Sequence, residues 1–115
     1  MDLSSFVPPA HEARLAHELL GQPGNLRARI LYALLGKPLR YSDLRPLLGG
    51  KPDNSLTVAL RTLQRDGLLE RRTNARREPV VHTYELTPLG VQVVLAMESL
   101  RPLEERLKLL ERALG

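Results

Sequence analysis

Between Asp53 and Gly90 the chain changes its residue pattern twice, and this stretch constrains the fold more than any other. Asn54 to Arg65 reads as a short amphipathic helix, with Leu56, Leu60 and Leu63 on one face and Ala59 beside them. Asp66-Gly67 is a tight stop. A strand over 68–73, an arginine-bearing loop over 74–79 and a strand over 80–86 follow, and Thr87-Pro88 starts a new helix. Thr87 suits the cap of that helix and Pro88 its first position, where the missing N–H costs nothing.

A chain of 115 residues is expected to form one domain with a modest core. It has no cysteine, which excludes disulfides, thiol nucleophiles and thiolate metal sites and fits a reducing compartment. Met1-Asp2-Leu3-Ser4-Ser5 lacks the basic and apolar regions of a signal peptide. No apolar run approaches the ~20 residues of a membrane span, so a cytoplasmic protein is expected. The net charge of +4 is unevenly spread. Residues 25–77 hold twelve Arg and Lys against four Asp and Glu, while both flanks are net acidic. A concentrated positive charge suits a polyanionic partner.

Pro8-Pro9 ends an N-terminal arm, and a short helix is expected over 10–20, with Leu15 and Leu19 on one face. After the breaker Gly21-Gln22-Pro23-Gly24, Asn25 can cap a helix whose core stripe is Leu26, Ile30, Ala33 and Leu34, widened by Leu31 and Leu35. Gly36-Lys37-Pro38 stops it. Residues 39–41 suffice for one short strand of a small sheet. Ser42 is the expected cap of a short helix over 43–48, with Asp43 and Pro46 in its first turn. Asp53 is the expected cap of the helix after the Gly49-Gly50-Lys51-Pro52 turn.

The face of helix 54–65 opposite its leucines holds Asn54, Val58, Arg61, Thr62 and Arg65, flanked by Ser55 and Thr57. Asparagine can read adenine, arginine can read guanine, and Val58 or Thr57 can touch a thymine methyl. A merely solvated helix face tends to carry Glu and Lys in i,i+4 pairs, and this one carries neither. In the hairpin, Leu68, Leu69, Tyr84 and Leu86 are expected to face the core, with Arg71 and Arg72 on the strand and Arg76 and Arg77 near the tip. A loop-tip arginine can clamp phosphates or enter a narrow minor groove. Helix, basic-tipped hairpin, helix is the layout of a winged helix-turn-helix.

In the last helix Leu89, Val93, Ala96, Leu100, Leu103, Leu107, Leu110 and Leu114 step alternately by four and three. That heptad seam is longer than a small domain can cover and implies a partner helix from a second copy. The competing arrangement is a stripe packed on the N-terminal helix of the same chain. Pro102 interrupts the run, either as a kink or as a junction of two helices near 99–102.

Read together, Ile30-Leu31-Tyr32-Ala33-Leu34-Leu35, Tyr41-Ser42-Asp43-Leu44, Leu56-Thr57, Leu60-Arg61, Leu63, Asp66-Gly67-Leu68-Leu69-Glu70-Arg71 and Tyr84-Glu85-Leu86-Thr87-Pro88-Leu89-Gly90 resemble bacterial winged helix-turn-helix transcriptional regulators. The resemblance is to the HxlR type, with MarR and PadR types as relatives, over about residues 25–95. It implies a homodimer on a pseudo-palindromic operator, with Asn54, Ser55, Thr57, Val58 and Arg61 on the recognition helix and Arg76 and Arg77 in the wing. HxlR-type regulators often carry a cysteine before the first core helix; its lack here removes thiol sensing from the expectations.

The expected fold is therefore mainly α with a small β-hairpin wing: a winged helix-turn-helix with a long C-terminal dimerisation helix. Its expected parts are an arm and short helix (1–24), a DNA-binding region (25–87) and a dimerisation helix (88–115), in one compact whole. Helix 54–65 is expected in a DNA major groove and the wing, 73–80, on the flanking minor groove or phosphates. The expected DNA contacts are Asn54, Ser55, Thr57, Val58, Arg61, Thr62, Arg65, Arg72, Arg76 and Arg77; the expected dimer contacts are Val93, Ala96, Leu100, Leu103, Leu107, Leu110 and Leu114. The alternative is a winged-helix module that docks proteins and never touches DNA. No cofactor, metal or membrane is expected, and no effector ligand is indicated. Catalysis is not expected either: His11, His17 and His82 are scattered, and no phosphate loop or buried carboxylate pair is visible.

Overall fold

A computed structural model describes residues 8–21 and 26–114. In chain order these form α1 (Ala10–Leu20), α2 (Leu26–Ala33), α3 (Tyr41–Leu44), a 3-10 turn (Arg45–Leu48), α4 (Asp53–Arg65), β1 (Leu69–Asn74), β2 (Val81–Leu86) and α5 (Pro88–Leu114). The expected cap at Asn25 lies outside the described residues.

The leucine faces converge as helical spacing requires. Ile30 and Leu31 of α2, Leu44, Leu48, the α4 trio Leu56, Leu60 and Leu63, and Leu68 and Leu69 are all buried in one core. Ala16 and Leu19 of α1 join it beside Val93, Val94, Ala96 and Met97 of α5. Leu35 does not: α2 ends at Ala33, so Leu35 lies beyond the helix and is exposed.

β1 and β2 pair antiparallel from Leu69 opposite Leu86 to Asn74 opposite Val81. The other edge of β2 binds Leu39, whose N–H donates to the Tyr84 carbonyl (3.0 Å) while the Tyr84 N–H donates to the Leu39 carbonyl (2.8 Å). Residue 39 is thus a one-residue third strand that ties the hairpin to the start of α3.

Two expected caps shift. α3 begins at Tyr41, with Arg40 in extended conformation before it, so Ser42 is already helical. Asp43 closes the first turn by accepting the Arg40 N–H at 2.9 Å. Asp53 is the first residue of α4 and Pro52 its flanking residue, while the Asp53 carboxylate pairs with Arg45 at 3.3 Å. Pro46 falls in the 3-10 turn, where its lack of an N–H is tolerated.

At α5 the expectation holds. The Thr87 hydroxyl accepts the Gly90 N–H at 3.0 Å and donates to the Gly67 carbonyl at 2.6 Å, joining the start of α5 to the turn after α4. α5 runs as one helix through Pro102. None of the described helices is long and apolar enough to cross a membrane.

Candidate nucleic-acid interface

α4 is held at both ends. Its C-terminus closes in a Schellman pattern: the Leu68 N–H donates to the Leu63 carbonyl (2.9 Å) and the Gly67 N–H to the Gln64 carbonyl (3.1 Å). Gly67 has φ +77°, a conformation glycine adopts without strain. Leu63 and Leu68, both buried, make the apolar contact that accompanies such a stop. At the N-terminus the Tyr41 hydroxyl lies 3.2 Å from the Asp53 carbonyl, to which it donates, and 3.4 Å from Thr57 Oγ1. With the Arg45–Asp53 ion pair, these contacts fix α4 against α3.

Fixed this way, α4 turns Asn54, Val58, Arg61 and Arg65 to solvent; Val58 is 59% exposed although apolar. Arg65 has the Asp66 carboxylate 3.6 Å away. Ser55, Thr57 and Thr62 are half-buried on the flanks. An open cleft runs along each flank. One, of about 480 Å³, lies toward α2 and is lined by Leu26, Arg27, Asn54, Ser55, Val58, Ala59 and Thr62. The other, of about 330 Å³, lies toward the hairpin and is lined by Tyr41, Thr57, Leu60, Arg61, Gln64, Arg71 and Tyr84. α4 is a ridge between two furrows.

The hairpin divides its arginines by strand alternation. Leu69, Arg71 and Thr73 share one face with Leu86, Tyr84 and His82; Glu70, Arg72 and Asn74 share the other with Glu85, Thr83 and Val81. Arg71 therefore continues the core-facing row and reaches the cleft beside α4. Arg72, expected to contact DNA, faces away and is ion-paired with Glu85 and, at 3.7 Å, with Glu70. The alternation that starts at buried Leu69 was the signal separating the two arginines. At the tip, Asn74 Oδ1 accepts the Arg76 N–H at 3.2 Å, and Arg76 and Arg77 are exposed. His82 is exposed, with Nδ1 2.9 Å from Thr73 Oγ1.

The seam of α5 divides in two. Val93 and Ala96 are 0% exposed within a single chain, because this half of α5 packs on α1 and the core. Expected as dimer contacts, both are already covered within one chain. Leu100 is half-buried. Leu103 (56%), Leu107 (49%), Leu110 (57%) and Leu114 (87%) are uncovered. At the boundary the Tyr32 hydroxyl of α2 donates to the Glu98 carboxylate, and the Arg101 guanidinium lies 4.9 Å from the Tyr32 ring centroid. Among the described residues no group of three or more His, Asp and Glu could hold a metal ion.

Comparison with known proteins agrees with this architecture. Over 64 residues, 56% of this chain and 50% of the relative, the sequence is 44% identical to the uncharacterised HTH-type transcriptional regulator YtfH of Escherichia coli K12, so the match spans half the length of that protein. A structure of YtfH from Salmonella typhimurium is 32% identical and superposes with a TM-score of 0.57, over 88% of this chain and 90% of that one. A MarR-family protein of Enterococcus faecalis V583 superposes with a TM-score of 0.68 at 23% identity, over 97% of this chain and 99% of that one, a likeness of fold. The model of the HxlR-like helix-turn-helix family matches residues 24–112. A winged helix-turn-helix with this hairpin, this ridge and this match is a member of the HxlR-like helix-turn-helix family.

Proposed function

We propose that the protein is a transcriptional regulator that binds double-stranded DNA as a homodimer, with α4 in the major groove and the hairpin tip on the adjoining minor groove or phosphates. One observation carries the reading. The solvent face of α4 presents Asn54, Val58, Arg61 and Arg65, with no carboxylate among them, as a ridge beside a hairpin tipped by Arg76 and Arg77. A helix is about 10–12 Å across and the major groove about 12 Å wide, so a ridge with furrows on both sides suits insertion. The name of its E. coli relative, an HTH-type transcriptional regulator, supports the same reading. The uncovered leucines of α5 support the second copy. A two-fold axis between tails would set two α4 ridges about 34 Å apart, one turn of duplex.

The test is selection of duplexes from a random pool, followed by titration of the selected sequence at increasing salt. Enrichment of an inverted repeat is expected. Affinity is expected to fall about 10³–10⁵-fold between ~50 and ~200 mM salt for roughly 6–10 phosphate contacts. Arg61→Ala is expected to cost about 1–3 kcal/mol and relax preference at particular base pairs. No enrichment, or a flat salt response, defeats the proposal and favours a protein-docking role.

A further inference from the structure

We propose that Arg71 seats one backbone phosphate of the bound DNA strand in the cleft between α4 and the hairpin, where the nearby Arg61 adds positive charge while reading the groove, and that its neighbour Arg72 takes no part. The inference rests on the DNA-binding reading and deepens it to a residue.

Three observations converge. The first is charge. The residues lining the cleft include two guanidinium groups, the Gln64 amide and no carboxylate. Among the described residues neither Arg61 nor Arg71 has an ion-pair partner. Arg72, one residue on, is held by Glu70 and Glu85 on the opposite face of the sheet. Two uncompensated guanidiniums at one furrow attract an oxyanion, and each offers N–H donors in a fork that matches phosphate oxygens.

The second is position. The cleft runs along Thr57, Arg61 and Gln64, one strip around α4 from the outward face, and Arg61 belongs to both. A helix that fills a major groove has a sugar–phosphate strand along each flank. The furrow toward the hairpin lies where one of those strands passes. An extended polyanion lying in an open groove fits this shape better than a small anion, which calls for an enclosed site.

The third is rigidity. Arg71 extends from a strand whose partner residue, Tyr84, is hydrogen-bonded to Leu39, and α4 is tied to α3 through Tyr41. The two guanidiniums are thus carried by elements joined to each other, and the cleft exists before DNA arrives. A preformed seat costs less ordering on binding.

The experiment compares Arg71→Ala, Arg71→Lys and Arg72→Ala in the full chain, on a duplex of roughly 30 base pairs (about three helical turns) selected by the protein from a random pool. Arg71→Ala and Arg72→Ala remove the same charge from adjacent positions, so a long-range field effect would be equal for both. Arg71→Ala is expected to weaken binding and lower the slope of log affinity against log salt by about 1.8, one phosphate contact in each protomer of the dimer. Arg71→Lys is expected to keep the slope, and Arg72→Ala to leave slope and affinity near those of the parent. Equal losses for the two alanine variants, or an unchanged slope for Arg71→Ala, overturn the assignment. Thermal melting with inorganic phosphate at constant ionic strength separates the other source of the anion. Phosphate that raises the melting temperature of the parent but not of Arg71→Ala, while Arg71→Ala leaves the DNA salt slope unchanged, marks a free-anion site and overturns the DNA assignment. If the parent binds no duplex, the DNA reading itself fails, a result distinct from failure of Arg71 alone.

Discussion

Tyr32 stands where α2 meets the last buried turn of α5. Its hydroxyl donates to Glu98, and the Arg101 guanidinium covers its ring. Burial, and then the Glu98 carboxylate, push its phenol from the ordinary 10.0 up to about 12. Ionising it would place a phenolate beside a carboxylate in a partly dry setting. Because the folded value lies above the unfolded one, its contribution to stability is whole below the ordinary value and is lost as pH rises from about 10 to about 12. Difference titration of tyrosinate absorbance between the protein and Tyr32→Phe should show a midpoint near the raised value. A midpoint at the ordinary value would mean that the hydroxyl is not held by Glu98.

The joint between α4 and α5 shows how elements set one another's positions. A Cβ placed on Gly90 would stand 2.0 Å from the Leu68 carbonyl oxygen, a backbone atom that cannot swing aside. Only glycine lets the first turn of α5 lie on the α4–β1 turn, where Thr87 stitches the two together. Gly90→Ala should force the backbones apart and cost about 1–3 kcal/mol or more, read as a lower denaturant midpoint at unchanged slope. A midpoint equal to that of the parent would show that the close approach is not needed. Thr87, Gly67 and the leucine stripe of α4 were legible in sequence because caps, stops and 3.6-residue periodicity are local signals. The opposite facing of Arg71 and Arg72 follows from strand alternation, but the ion pair that holds Arg72 was not legible, since it depends on the register of β1 against β2 and on where Glu85 falls. Nor was the division of the α5 seam. A heptad pattern reads the same whether Val93 and Ala96 meet α1 of their own chain or a helix of another.

At the scale of the molecule, α5 stretches the chain to 58 × 32 × 23 Å. From Leu103 to Leu114 the helix projects with an apolar stripe uncovered. Leu103→Glu with Leu107→Glu should yield a monomer by sedimentation, with thermal melting near that of the parent because neither side chain belongs to the buried core. Binding to a full inverted repeat should collapse to the weak binding of one half-site, since the avidity of linked contacts is gone. A variant that stays dimeric, or a parent that is monomeric at micromolar concentration yet grips a palindrome tightly, would sink the tail-mediated dimer. Pro102 marks the start of that projecting segment. Having no N–H, it leaves the carbonyl of Glu98 without its helical partner, at the turn where Tyr32 and Arg101 make their last grip on the core. In mechanical terms α5 is a shaft seated in a bearing up to about Leu100 and free beyond it, and the missing bond sets its softest section at the mouth of the bearing. Bending would gather there, so in the proposed dimer each body would swing on its tail while the paired tails stay parallel.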